Sequence, residues 1–91
     1  MQVVFATTAH EDMDTIYEFI YQDSPHYAYG VVQDIKLWCF TQLSIIPHRG
    51  RKLHDEPETR ETVGPYRYTI RFIIHDDTVV ITMIYKWQNR S

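Results

Sequence analysis

The cations in the second half of the chain are the residues whose spacing invites chemistry. Arg67 and Arg71 alternate with Tyr66, Tyr68, Ile70, Phe72 and Ile74, which is the period of a half-buried strand. Lys86 takes the matching non-core position on a second strand, where Val79, Ile81, Met83, Tyr85 and Trp87 form the apolar face. His75-Asp76-Asp77-Thr78 supplies the turn between them. A tight turn centred on Asp76-Asp77 sets Arg71 opposite Thr82, Thr69 opposite Ile84 and Arg67 opposite Lys86. Like charges facing each other across a sheet are unfavourable. Arg67 and Lys86 therefore call for an anion: a carboxylate such as Glu61, a phosphate, or an acidic partner. Arg60 joins them if a strand over Arg60 to Val63 pairs back through Gly64-Pro65. A two-residue turn sets Arg60 opposite Thr69 and Thr62 opposite Arg67, whereas a three-residue turn makes Glu61–Arg67 an internal ion pair. Both registers stay open.

Other chemistries find no support. The five histidines (His10, His26, His48, His54, His75) show no i, i+4 pair and no zincin spacing, so no metal site is expected. Cys39 falls on the buried stripe of a helix and reads as a small core residue. Neither GxGxxG nor a P-loop is present, and no cofactor is expected.

Local signals position these residues. Val3-Val4-Phe5 reads as an opening strand. Thr8-Ala9-His10-Glu11 has the form of a capping box, and Ala9, Met13, Ile16, Tyr17 and Ile20 follow at helical spacing, predicting a first helix over 8–22 with early acids at its positive end. Ser24 as cap and Pro25 at the first turn open a second helix. Its stripe is Ala28, Val31, Val32, Ile35, Trp38, Cys39, Gln42, Leu43 and Ile46, and Pro47 stops it after about 22 residues, roughly 33 Å. With only Gln22 and Asp23 between them, the two helices must fold back as an antiparallel pair. Residues 47–65 read as a loop ending in the short strand Arg60 to Val63. Within it, Arg49-Gly50-Arg51-Lys52 forms a second basic group where cations suit the negative helix end or a partner.

The 91 residues support one domain, 1–91, with one core. Seven Tyr, four Phe and two Trp argue against disorder. No apolar run approaches the roughly 20 residues of a membrane span, and Met1 is followed at once by strand-like sequence, so no leader is expected. A single cysteine forbids an internal disulfide and points to the reducing cytoplasm. The net charge of −3 divides unevenly, since residues 1–48 carry one cation against six acids and residues 49–91 eight cations against six. A broad, sequence-specific nucleic-acid surface is therefore not expected, while a local basic site in the second half is. On the second helix, Tyr29, Leu37 and Phe40 fall well away from the buried stripe. Either the first helix covers that sector or it is an interaction surface.

The order and spacing of these pieces resemble the RelE/ParE toxin superfamily over nearly the whole chain. The resemblance rests on Val3-Val4-Phe5, an acidic first helix and a second helix ending in Ile46-Pro47-His48-Arg49-Gly50-Arg51. It continues through Arg60-Glu61, Gly64-Pro65-Tyr66-Arg67 and the hairpin with Asp76-Asp77-Thr78-Val79-Val80-Ile81. It implies an α+β fold, a small β-α-α-β-β-β arrangement with the helical hairpin packed on a mainly antiparallel sheet.

The superfamily has two biochemical branches. The RelE-like branch consists of ribosome-dependent mRNA endoribonucleases, and on that reading Arg67 holds the phosphate while Tyr85 or Lys86 transfers protons. The ParE-like branch binds and poisons DNA gyrase. Arg-Gly-Arg after the helix and Gly-Pro-Tyr-Arg before the hairpin are closer to ParE-like spellings. The chain departs from that pattern in ending Lys86-Trp87-Gln88-Asn89-Arg90-Ser91, without the histidine, glycine and arginines often found there. The resemblance thus implies a toxin neutralised by a cognate antitoxin, with Arg60, Arg67, Arg71, Lys86, Trp87 and Arg90 toward the target. Tyr29, Leu37, Phe40, Arg49 and Arg51 would face the antitoxin. A degenerate toxin that only binds antitoxin is the remaining alternative.

Overall fold

Alternation of apolar and polar residues builds the centre of the sheet. In the computed structural model, which describes residues 1–86, β4 (Tyr68–His75) and β5 (Thr78–Lys86) form the antiparallel hairpin. β1 (Gln2–Phe5) runs parallel to β5 on one side, and β3 (Thr59–Val63) and the two-residue β2 (Arg51–Lys52) extend the sheet antiparallel on the other. The order is β1-β5-β4-β3-β2. Helices α1 (Thr7–Tyr21) and α2 (Pro25–Trp38) cover one face. The core between them joins Ala9, Met13 and Ile16 of α1 and Val31 and Ile35 of α2 to Ile70, Phe72, Val79, Ile81 and Ile84 of the sheet. The fold is α+β, as expected, and the sheet is mixed: the helices carry the chain from β1 to β2 at the far edge, and the antiparallel run β2 to β5 returns it beside β1 in parallel. No helix among the described residues is long and apolar enough to cross a membrane.

Several local expectations are corrected. Ser24 does cap α2, accepting from the Tyr27 amide at 3.2 Å. The Thr8 capping box does not form. Ala6 precedes α1 without a side-chain bond, Thr8 lies inside the helix, and no acid stands in the first turn. After Trp38 the second helix widens into a π-helical turn, Cys39–Leu43, helped by the Thr41 hydroxyl, which donates back to the Leu37 carbonyl at 2.9 Å. The extra residue per turn keeps Cys39 and Leu43 fully buried but swings Ile46 out of the expected stripe, 48% exposed. Burial pushes the Cys39 thiol up to about 12, so it is an inert core group.

The hairpin register changes along its length. Near the turn the expected pairing holds, with Phe72 opposite Ile81 and His75 opposite Thr78. A β-bulge then shifts it, so Arg71 faces Met83, not Thr82, and Thr69 faces Tyr85, not Ile84. One extra residue inverts the remaining side chains. Ile84 turns into the core at 2% exposure, Met83 stays 41% exposed, and Tyr85 moves to the face opposite the helices. Trp87, expected on the apolar face, lies outside the described residues.

Helix α1 holds the bulge in place. The Thr8 hydroxyl donates to the Thr82 carbonyl at 2.6 Å, and the Asp12 carboxylate accepts from the Ile84 amide at 2.9 Å. Thr8 and Asp12, four residues apart, share one side of the helix. The hydroxyl that resembled a cap thus serves the sheet.

Candidate functional site

The sheet face away from the helices carries a hollow of about 720 Å³ lined by Gly50, Arg51, Leu53, Glu61, Val63, Thr69, Arg71 and Tyr85. Strand pairing brings its charges together, because β2 sets Arg51 opposite Glu61 and β4 sets Arg71 opposite the same residue. Arg51 Nη2 donates to Glu61 Oε1 at 2.9 Å, while Arg71 Nε and the Tyr85 hydroxyl donate to Glu61 Oε2, each at 3.1 Å. The Arg71 guanidinium also lies 5.3 Å from the centre of the Tyr85 ring. Glu61 forms the floor, its side chain 12% exposed, beneath Arg71 at 31% and Arg51 at 79%.

Gly50 makes the approach of β2 possible. It adopts φ +82°, and a Cβ there would overlap the Glu61 carbonyl. The Arg-Gly-Arg sequence is therefore a strand start, not merely a charged helix end.

Burial alone would raise the Glu61 carboxyl, but the hydrogen bonds from Arg51, Arg71 and Tyr85 outweigh it and hold the group below its ordinary 4.5. The same contacts raise Arg71 above the ordinary arginine value, against the effect of its own burial. A carboxyl with a depressed folded value stabilises the fold fully above its unfolded value and loses that contribution as pH falls through the folded one. Thermal melts of wild type and Glu61→Gln should therefore keep a constant separation above pH 4.5 and converge below it. A separation unchanged by acid would contradict the ion pairing.

The remaining expected site residues are dispersed. Arg60 belongs to the helix-side face, and its Nη1 donates to the His48 carbonyl at 2.9 Å. Arg67 is exposed in the turn Pro65–Arg67, where both Tyr66 (φ 58°) and Arg67 (φ 67°) are left-handed. Neither register expected through Gly64-Pro65 occurs. Val63 pairs with Thr69, so Glu61 meets Arg71 and not Arg67. The connection is held by a hydrogen bond from the Tyr66 hydroxyl to Asp34 on α2. Lys86 faces the helix side, its Nζ 5.2 Å from the Tyr68 ring, so the Arg67–Lys86 pair does not form. Arg90, like Trp87, falls outside the described residues. Asp12 and Tyr66 were missed as positioning groups, although Asp12 borders the apolar stripe of α1, where a carboxylate needs a donor.

The helical layer offers a different surface. Tyr29 (60% exposed), Leu37 (62%) and Phe40 (46%) all remain accessible, so α1 does not cover them. Phe40 packs edge-on against Phe5 with ring centres 5.4 Å apart. Arg49 lies 5.4 Å from the Trp38 ring and so is tied to the end of α2. A second hollow of about 520 Å³ lies between the helices and the end of β5, where Phe19 (69% exposed) and Tyr27 (53%) flank Lys86.

No protein-family model and no curated protein matches the sequence. Among solved structures, the fold is similar to a chain described as "Chromosomal ParDE TA system from P. aeruginosa", with TM-score 0.81 at 19% identity, covering 97% of each chain.

Proposed function

We propose that this chain is a ParE-like toxin of a type II toxin–antitoxin pair, acting by binding DNA gyrase and neutralised by a cognate antitoxin. The observation that carries the reading is the likeness of fold to a ParDE chain over 97% of each chain, and the ParE-like spellings of the sequence agree with it. Arg-Gly-Arg begins β2 and Gly-Pro-Tyr-Arg forms the left-handed turn before β4. Cutting RNA requires cations, a base and an acid around one phosphate. Here Arg67, Tyr85 and Lys86 lie in a turn, on the open face and on the helix face respectively, and Glu61 neutralises the cations nearest Tyr85. That arrangement favours binding over cleavage.

Induction of the chain in growing cells tests the proposal. The expected result is SOS induction with trapped gyrase–DNA complexes and no codon-phased mRNA cuts. Codon-phased cuts without SOS induction would instead assign the ribonuclease activity. Antitoxin binding with neither response would leave a degenerate toxin.

Arg67 is exposed in the turn before β4, and Lys86 is exposed at the far end of β5. Arg67→Ala and Lys86→Ala should each weaken toxicity while shifting stability by no more than about 0.5 kcal/mol, as for other exposed positions. Growth after induction and a thermal melt read the two effects. Full toxicity in both folded variants would remove these residues from the effector surface.

The outer sector of α2 is proposed to meet the antitoxin, with Arg49 and Arg51 nearby for its acidic side chains. The doubly substituted Leu37→Ser, Phe40→Ser chain should stay folded and bind antitoxin at least tenfold more weakly, about 1.4 kcal/mol. Titration calorimetry measures this, and unchanged affinity in the folded variant would exclude the surface.

A further inference from the structure

We propose that the hollow on the open sheet face is a binding site for a phosphate-type oxyanion, and that Glu61 is a tethered competitor occupying it. Its donors form a set suited to such a ligand: two guanidinium groups and a phenol converge on one pair of carboxylate oxygens. The donors come from three different strands, β2, β4 and β5, so the sheet sets the spacing of the backbones that carry them. Gly50 lets the backbone before Arg51 pass against the Glu61 carbonyl, which sets Arg51 opposite Glu61. Thr62 and Thr69 border the hollow as well, and Leu53 and Val63 give it an apolar side.

The carboxylate has the charge and the planar pair of acceptor oxygens that one edge of a phosphate would present. It is carried by the chain itself, so its local concentration far exceeds that of a free anion. An external oxyanion therefore binds with an affinity reduced by the fraction of molecules in which Glu61 has left the donors. The inference does not depend on gyrase being the target, since it rests on the donors and their present occupant.

Titration of the ¹⁵N-labelled protein with inorganic phosphate at neutral pH tests it, read at the Arg71 Nε–H and Tyr85 ring resonances. Glu61→Gln and Glu61→Ala should each bind phosphate at least about tenfold more tightly than wild type, because the competitor is gone. Adding Arg71→Ala to either variant should abolish the gain. In wild type, high phosphate should move the same two resonances, a measurement that requires neither variant to fold. A parallel titration with a nucleoside 5′-monophosphate separates the sources. Equal affinity assigns the site to free phosphate, and tighter binding assigns it to a phosphate carried on a nucleotide. The proposal is overturned if the folded variants bind no more tightly than wild type, or if the gain survives loss of Arg71. It also fails if high phosphate leaves the wild-type Arg71 and Tyr85 resonances unmoved.

Discussion

Phe72→Ala should cost about 3–5 kcal/mol, the largest single loss expected in this protein. Phe72 is fully buried on β4 and belongs to the core cluster shared by both helices and the sheet. It also stands beside the register shift, opposite Ile81, where the strand cannot close around a cavity without disturbing the bulge. A domain of this size has a total stability of roughly 5–14 kcal/mol, so the loss removes a large share of it. Chemical denaturation should show a lowered midpoint with little change of slope. A loss below about 1 kcal/mol would mean that the core refills the space and that this packing is looser than described.

Asp12→Ala should be the next most costly change, at about 1–3 kcal/mol, although it removes no core side chain. Its carboxylate accepts from the Ile84 amide, two residues past the bulge. Truncation leaves that donor unpaired in a part-buried place, with Thr8 still holding the Thr82 carbonyl on the other side. Returning β5 to a regular register is no remedy, because it would expose Ile84 and drive Tyr85 into the core. The bulge should therefore persist in a weakened state, with faster hydrogen exchange at the Ile84 amide. Asp12→Asn keeps an acceptor oxygen and should lose no more than about 1 kcal/mol. Equal losses in the Ala and Asn variants would show that charge matters and the hydrogen bond does not.

The bulge also explains which expectations about the open face succeeded. Near the turn, strict alternation made both strands readable, and the pairs Phe72–Ile81 and His75–Thr78 follow from it. Beyond Thr82 the same alternation assigns Tyr85 to the core and Lys86 to the outer face. Both residues lie on the other side, because one unpaired residue changes the parity of everything after it. The anion expected beside the sheet arginines is Glu61, a candidate visible in the sequence. Its partners are Arg51 and Arg71, and not Arg67, because the turn Pro65–Arg67 lengthens the connection from β3 to β4.

The sequence by itself determined the two helices, the opening strand, β3 and the closing hairpin, but not β2, which falls in the stretch 47–65 expected to be a loop. Apolar period, the Ser24-Pro25 cap and the Pro47 stop are local signals, written within a few residues of where they act. They predict a helical pair, a closing hairpin and an α+β fold without reference to distant residues. Tertiary structure decided which side chains meet. The hollow depends on β2 pairing with β3, on Gly50 at φ +82° and on a bulge held by Thr8 and Asp12, more than 70 residues away in sequence. Each of these is a non-local hydrogen-bond choice whose local pattern is compatible with at least one other register. Only the packing of α1 onto the finished sheet selects among them.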